Sequence, residues 1–151
     1  MYHYEGSGLP YVYLKNGYEL VESPYGQGVT IHDIDGLHDA LGNAIVSSPV
    51  QLTGQEFRFL RVELNLSQAG LAAALGCNEQ SVARWEKSKS RQVNAPAERI
   101  LRMLYREAKH GEKKLAPLLK SLQDLECTPA PPRKFVASER RDTWSARAET
   151  F

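Results

Sequence analysis

Residues 68–87, QAGLAAALGCNEQSVARWEK, have the residue spacing of two short helices joined by a tight turn. Leu71 and Leu75 lie one helical turn apart, which predicts the buried face of a first helix. Ala72 is small, which lets a second helix cross the first at close range. Gly76 can take the positive φ that ends the first helix and turns the chain sharply. This spacing predicts a helix-turn-helix.

The second helix of this motif has a polar outer face. Asn78 is a favourable N-cap, and Val82 and Trp85 predict the buried side. The side chains left facing outward are Glu79, Gln80, Ser81 and Arg84. Amide, hydroxyl and guanidinium groups bind base edges and phosphates. The alternative is a helical hairpin in an unrelated bundle, with the polar row solvated. The tight turn, the small Ala72 and the apolar Cys77 favour the helix-turn-helix.

The longer stretch Leu60–Lys89, LRVELNLSQAGLAAALGCNEQSVARWEKSK, resembles the Cro/C1-type repressor family. The pattern of that family is R-x-x-x-gLSQ-x-x-LA-x-x-LG-x-x-x-x-x-V-x-x-wE-x-G-k. The resemblance implies a lambda-repressor-like fold and binding to double-stranded DNA. The sequence departs from the pattern at Ser88, where the family usually has the Gly that closes the recognition helix. The loop after this helix is therefore expected to differ in shape.

A narrower resemblance, to MqsA-type antitoxins and related stand-alone regulators, covers roughly residues 8–109. Upstream of the motif, residues 9–41 (LPYVYLKNGYELVESPYGQGVTIHDIDGLHDAL) are similar to the small sheet of those proteins, which follows an IPY-x-F/Y strand. The antitoxins hold zinc with two CxxC pairs, whereas this chain has only Cys77 and Cys127. We therefore expect no zinc site and no cofactor, and a toxin-neutralising role is less strongly implied.

Charge is unevenly distributed along the 151 residues, although the net charge is only +1. Residues 1–52 contain one lysine against six acidic side chains, a net charge of −5. Residues 53–111 carry +4 and residues 112–151 carry +2. We expect the basic middle to meet phosphate while the acidic start faces away from it.

Nothing in the sequence indicates an enzyme or a metal centre. The four histidines are His3, His32, His38 and His110, which lie in different segments without metal-ligand spacing. The pairs His32-Asp33 and His38-Asp39 could serve as acid–base pairs, but His38 is predicted on a helix beside core leucines. Two distant cysteines, a polar start and no long apolar run predict a cytoplasmic protein without a membrane span.

Residues 1–50 predict a small α+β unit. A strand over 11–14, a type I′ turn at Asn16-Gly17 and a strand over 18–21 form the expected hairpin. A second turn at 24–26 precedes a third strand over 28–32. A helix capped by Asp33 or Asp35 follows, with Leu37, Leu41 and Ile45 at four-residue spacing, and it ends at 47–49. The unit is small, so we expect it to pack on the rest of the chain or on a second copy.

Residues 51–111 are predicted to form the DNA-binding domain. Together with the first unit, this domain gives the whole chain a mainly helical α+β fold. Thr53 and Glu56 form a capping box for its first helix. Ser67 caps the second helix, Pro96 lies in the first turn of the fourth, and Gly111 ends that helix.

The last 40 residues divide into two parts. Residues 112–126 predict a leucine-rich helix, with Leu115, Leu118, Leu119, Leu122 and Leu125 on it and Pro117 in its first turn. We expect its apolar stripe to form the dimer interface; folding back over the helix from Pro96 to Lys109 is the alternative. Residues 127–151 are predicted to be a flexible tail, in which Phe135 and Trp144 could dock on a partner.

These observations predict a sequence-specific binder of double-stranded DNA that acts as a homodimeric transcriptional repressor. The candidate DNA-binding residues are Gln68, Asn78, Glu79, Gln80, Ser81, Arg84, Lys87, Lys89 and Arg91. Gln68 is assigned to a phosphate and Gln80 and Ser81 to base edges. The residues assigned to the DNA backbone, at the exit of the second helix, are Lys87, Lys89 and Arg91. Arg58 and Arg61 are the weakest candidates, because an exposed arginine on a helix is usually only solvated.

The sequence leaves two other functional hypotheses open. The chain could be an antitoxin whose acidic first unit or tail covers a basic toxin and which also regulates its own operon. It could also be an interaction module whose helix-turn-helix no longer binds DNA, although Arg84, Lys87 and Lys89 argue against this.

Overall fold

The computed structural model describes residues 1–89, 93–111, 115–125 and 133–150. The strands in these parts are β1 (Tyr2–His3), β2 (Tyr13–Leu14), β3 (Tyr18–Ser23), β4 (Gly26–Ile31), β5 (Arg133–Arg140) and β6 (Thr143–Thr150). The helices are α1 (Ile34–Ser47), α2 (Gly54–Glu63), α3 (Gln68–Leu75), α4 (Glu79–Lys87), α5 (Ala95–His110) and α6 (Leu115–Gln123). The mainly helical α+β class predicted from the sequence is confirmed for the described residues.

The strands of the first unit pair differently from the prediction. The strand that ends at Leu14 does not form a hairpin across Asn16-Gly17: β2 pairs with β1, and β3 pairs with β4 across the two-residue turn at 24–25. Only Gly17 of that dipeptide has a positive φ, 79°, whereas a type I′ turn needs two such residues. The Gly17 carbonyl instead accepts from the His32 amide at 2.8 Å, which closes the base of the β3–β4 hairpin.

Helix caps predicted from the sequence are confirmed. Asp33 caps α1, and the capping box of Thr53 and Glu56 opens α2. Ser67 caps α3 and Asn78 caps α4, each by accepting a backbone amide of the first turn. Because each cap satisfies an amide that the helix itself leaves unbonded, these residues fix where the helices start.

One apolar core joins the first unit to the helices. Leu9 and Leu14 from the strand segments and Ile45 from α1 belong to the same cluster of buried side chains as Phe57 and Leu101. The first unit therefore packs on the rest of its own chain, which is one of the two arrangements that the sequence left open.

Two arginines on α5 bind the carboxyl end of α1. Arg102 Nη1 donates to the carbonyls of Val46 at 3.1 Å and Ser48 at 2.7 Å, and Arg106 Nη2 donates to Val46 at 2.9 Å. The last carbonyls of a helix have no partner within the helix and carry partial negative charge. These bonds therefore hold α1 against α5.

Helix α6 packs mainly against α3 and less against α5. Leu115, Leu119 and Leu122 are half-buried against the core, and Gln123 Nε2 donates to the Gly70 carbonyl at 3.0 Å. The leucine stripe is thus partly covered within the chain, on the first helix of the motif. Two leucines remain outside, since Leu118 is 40% exposed and Leu125 is 70% exposed.

The end of the chain contains a β-hairpin where the sequence indicated only a flexible tail. Strands β5 and β6 pair antiparallel from Arg133↔Thr150 to Arg140↔Thr143. The turn residues Arg141 and Asp142 both have positive φ, 52° and 61°, as a two-residue type I′ turn requires. A turn without Gly or Asn gives a weak sequence signal, so the hairpin was not predicted.

The buried tyrosine of α5 provides a test of the core. Tyr105 is fully buried against Gly42 of α1, and its hydroxyl has no hydrogen-bond partner among the described residues. Burial, together with the negative charges of Asp39 and Glu63, raises the pKa of Tyr105 to about 12. Because the folded state holds this proton more tightly than the unfolded state does, the free energy of unfolding is unaffected by its titration below pH 10 and falls as the pH rises towards about 12.

Tyr105→Phe should therefore stabilise the protein by about 1 kcal/mol at neutral pH, because a buried hydroxyl without a partner is removed. The variant should also lose less stability than the parent between about pH 10 and pH 12. Urea denaturation at the two ends of this range measures both effects. Tyr25→Phe is the control, since Tyr25 is 99% exposed. A destabilised Tyr105→Phe variant would mean that the hydroxyl has a partner.

Candidate nucleic-acid interface

Helices α3 and α4 form the predicted motif. Gly76 ends α3 with φ 73°, and Leu71 and Val82 are fully buried between the helices. Ala72 is 2% exposed, which agrees with its predicted place at the crossing of the two helices. The turn therefore holds α4 with one side against the core and the other side outward.

A buried polar network lies beneath α4 and connects three helices. Arg61 of α2 donates through Nε to Glu86 Oε1 at 2.7 Å and through Nη1 to the Leu66 carbonyl at 2.7 Å. Gln68 of α3 donates through Nε2 to Glu86 Oε2 at 2.8 Å. Both carboxylate oxygens of Glu86 are thus satisfied inside the protein, which makes the pair acceptable at this depth.

This network corrects one prediction and adds to another. Arg61 is buried and ion-paired, so it is not a solvated surface arginine. Gln68 is half-buried, and its side chain has a partner inside the protein, although its contact with a phosphate stays a prediction. Glu86 was missed from the sequence. The signal was present, since Glu86 lies four residues after Val82 and therefore on the buried stripe of α4.

The outer face of α4 presents a row of polar side chains. Gln80, Arg84 and Lys87 are exposed and follow one another at spacings of four and three residues, so they share one side of the helix. Lys89 is exposed just beyond the helix, and Glu79 is exposed at its start. Since Glu86 is buried, Glu79 is the exposed acid of α4, and the face is net positive. Arg91 lies outside the described residues.

Two of the candidate residues also hold the start of α4. Asn78 is exposed, and its Oδ1 accepts from the Ser81 amide at 2.8 Å and from the Ser81 hydroxyl at 2.9 Å. Ser81 is half-buried. The Asn78 side-chain NH₂ group and the lone pairs of the Ser81 hydroxyl can still form hydrogen bonds to a ligand. The hydrogen bonds that the two residues already make, however, cap the helix.

The carboxyl end of α4 meets the start of α2. The Gly54 amide donates to the Ser88 carbonyl at 3.2 Å, and a Cβ at position 54 would lie 2.5 Å from that oxygen and 2.7 Å from the Glu86 carbonyl. Ser88 itself has φ −70° and ψ 123°, an extended conformation open to any residue. The departure from the family pattern at Ser88 therefore introduces no backbone strain.

The histidine considered for acid–base chemistry joins the first unit to α2. His38 Nδ1 lies 2.7 Å from Glu63 Oε1, and its Nε2 lies 2.8 Å from the Tyr4 hydroxyl. With Nδ1 donating to the carboxylate, Nε2 accepts from Tyr4. Its partners are thus Tyr4 and Glu63, whereas the sequence suggested Asp39.

Two further properties of the described residues bear on the site. These residues contain no group of three or more His, Cys, Asp or Glu side chains that could hold a metal ion. In the same parts of the chain, no helix has both the length and the apolar character needed to span a membrane.

Comparison with known proteins supports the same motif. A family model described as helix-turn-helix matches residues 57–101, from within α2 to the middle of α5. The chain contains a DNA-binding helix-turn-helix of the kind found in transcription regulators. Neither curated proteins nor solved structures give a match to the chain. The narrower resemblance to MqsA-type antitoxins stays a prediction.

The buried network of the helix-turn-helix can be tested by its stability. Glu86→Gln should destabilise the fold by about 3–5 kcal/mol, because it leaves the Arg61 charge buried without a counter-charge. Glu79→Gln, on the exposed start of the same helix, should cost less than about 1 kcal/mol. Urea denaturation of both variants measures the difference. Similar losses of unfolding free energy in the two variants would show that the Arg61–Glu86 ion pair contributes no more to stability than an exposed acid does.

Proposed function

We propose that this protein is a sequence-specific regulator of transcription, a repressor that binds double-stranded DNA as a homodimer. The observation that carries the proposal is the exposed, net positive row of Gln80, Arg84 and Lys87 on the second helix of a DNA-binding helix-turn-helix. A helix in this position enters the major groove, where side chains of these types bind base edges. A regulator of this kind acts where the chromosome is, in keeping with the expected cytoplasmic location.

Each exposed residue has a distinct proposed role. We assign Gln80, with Ser81 beside it, to an adenine edge, and Arg84 to guanine or a phosphate. Lys87, Lys89 and Arg91 contact the DNA backbone, while Glu79 accepts from cytosine or excludes other bases. Gln68 and Asn78 contact the DNA backbone from the starts of α3 and α4.

The homodimer is proposed to form through α6. One helix-turn-helix makes few base contacts, so regulators of this size commonly read two half-sites about 34 Å apart through a two-fold dimer. Leu118 and Leu125 stay exposed after α6 has packed on α3. A second copy of the chain would cover these two leucines.

The acidic first unit favours a second candidate function, that of an antitoxin that also regulates its operon. The β3–β4 hairpin exposes Leu20, Val21 and Tyr25 beside Glu19 and Glu22. Apolar side chains among carboxylates suit a basic protein partner. Co-purification with a small basic protein encoded next to this chain would distinguish the antitoxin from a regulator that acts alone.

Substitutions on α4 test the DNA-binding role. Gln80→Ala or Arg84→Ala should weaken binding to the preferred sequence by about 1–3 kcal/mol and leave non-specific binding nearly unchanged. Lys89→Ala should weaken binding to all sequences and flatten the salt dependence. Titration of a selected duplex and its scrambled version at several salt concentrations measures these effects. Arg99→Ala, an exposed arginine of α5, is the control; equal losses on both duplexes would remove Arg84 from base readout.

The dimer can be tested without removing α6, which covers α3. Replacing Leu118 and Leu125 by Ser should shift the protein from dimer to monomer, because the substitutions remove the exposed apolar surface that a second copy would bury. Sedimentation velocity measures the assembly state. The matched control replaces Leu20 and Val21 of the β3–β4 hairpin by Ser. Dissociation by the control pair alone would move the interface to the first unit.

A further inference from the structure

The β5–β6 hairpin has two chemically different faces, which its register defines. Directly opposed residues lie on the same side of the ribbon, and neighbours along a strand alternate between sides. The face that we call the basic face contains Lys134, Val136, Ser138, Arg140, Thr143, Ser145, Arg147 and Glu149. The opposite face contains Phe135, Ala137 and Glu139 with Trp144, Ala146 and Ala148.

The basic face has the groups that bind phosphate. It presents three cations and three hydroxyl groups against one carboxylate, and all of these side chains are exposed except Glu149, which is half-buried. Glu149 is paired with Arg147 at 3.0 Å and lies 3.8 Å from Lys134. Among the described residues Arg140 has no ion-pair partner. The face is therefore net positive, with its least compensated charge beside the turn.

We propose that the basic face of the β5–β6 hairpin binds the DNA backbone, as a second contact beside the helix-turn-helix. Lys, Arg, Ser and Thr side chains are among the groups that bind DNA phosphates, and cations opposite phosphates supply sequence-independent affinity. Lys134 and Arg140 lie six residues apart on one strand, roughly 20 Å, which is the length of about six base pairs of duplex. Phosphates of one binding site can thus meet both ends of the ribbon.

This inference rests on the proposed function, because the helix-turn-helix must first bring the chain to DNA. Once α4 is bound, the hairpin of the same chain meets the neighbouring DNA at a high effective concentration. Weak phosphate contacts then add affinity that they could not provide alone. The hairpin contacts should strengthen binding to all sequences alike, whereas those of α4 select among sequences.

The test compares the salt dependence of DNA binding, using all 151 residues of the chain. The substrates are a duplex of about 40 base pairs, selected from random sequence with the parent protein, and its scrambled version. A triple variant that replaces Lys134, Arg140 and Arg147 by Ala should lower the magnitude of the slope of log K against log salt by up to about 2.7 on both duplexes, since each of the three lost phosphate contacts removes about 0.9. Glu149→Gln should change affinity in the opposite direction, because it removes the carboxylate that competes with phosphate.

Controls separate charge from damage to the fold. Replacing Arg140 and Arg147 by Lys keeps the charges and should retain the slope. Lys15→Ala, at an exposed position in the first unit, should leave it unchanged. Hydroxyl-radical footprinting should show backbone deoxyriboses next to the α4 half-site that are protected by the parent protein and that lose this protection with the triple variant.

Three outcomes would overturn the inference. Parental slope and footprint in the triple variant, with Arg84→Ala still losing specificity, would exclude the hairpin contact and leave the proposed function intact. If selection enriches no duplex with the parent protein, the proposed function fails and the hairpin contact with it. If the basic face binds vesicles with anionic lipid headgroups, and the triple substitution abolishes vesicle binding without affecting DNA binding, the surface is a membrane-binding site and not a DNA contact.

Discussion

The buried ion pair between Arg61 and Glu86 is the interaction on which the DNA-binding part of the molecule depends. It joins α2 to α4, and Gln68 extends it to α3 through the second oxygen of the same carboxylate. A buried charge is tolerated only when an opposite charge lies beside it. Arg61 and Glu86 therefore each stay buried only while the other is present. The orientation of α4, and hence the direction of its outer face, follows from this network together with the packing of Val82.

The same pair also determines the electrostatics of the proposed DNA surface. If Glu86 lay on the outer face of α4, it would stand among Arg84 and Lys87 and reduce the attraction to phosphate. Buried against Arg61, it leaves the exposed row of α4 net positive. One interaction therefore contributes to both the stability of the motif and its suitability for an anionic partner.

The first unit is held to the helices by contacts of a different kind. The Tyr4–His38–Glu63 chain of hydrogen bonds joins the N-terminal segment, α1 and α2, and arginines of α5 bind the carbonyls at the end of α1. Gly42 leaves the space that the ring of Tyr105 fills. Through these contacts the acidic unit is fixed on the helical core, and one of them is made to α2, the helix that carries Arg61.

Local signals in the sequence were enough to determine the helices of the motif. Caps, the helix-ending Gly76 and the spacing of Leu71 and Val82 act within a few residues, so they can be read along the chain. The outward row of α4 followed from the same periodicity. Only the tertiary structure decided which segments meet. It paired β2 with β1 across the nine residues between them, placed α6 on α3, and turned Arg61 inward to Glu86, because strand pairing and the burial of charge depend on partners distant in sequence.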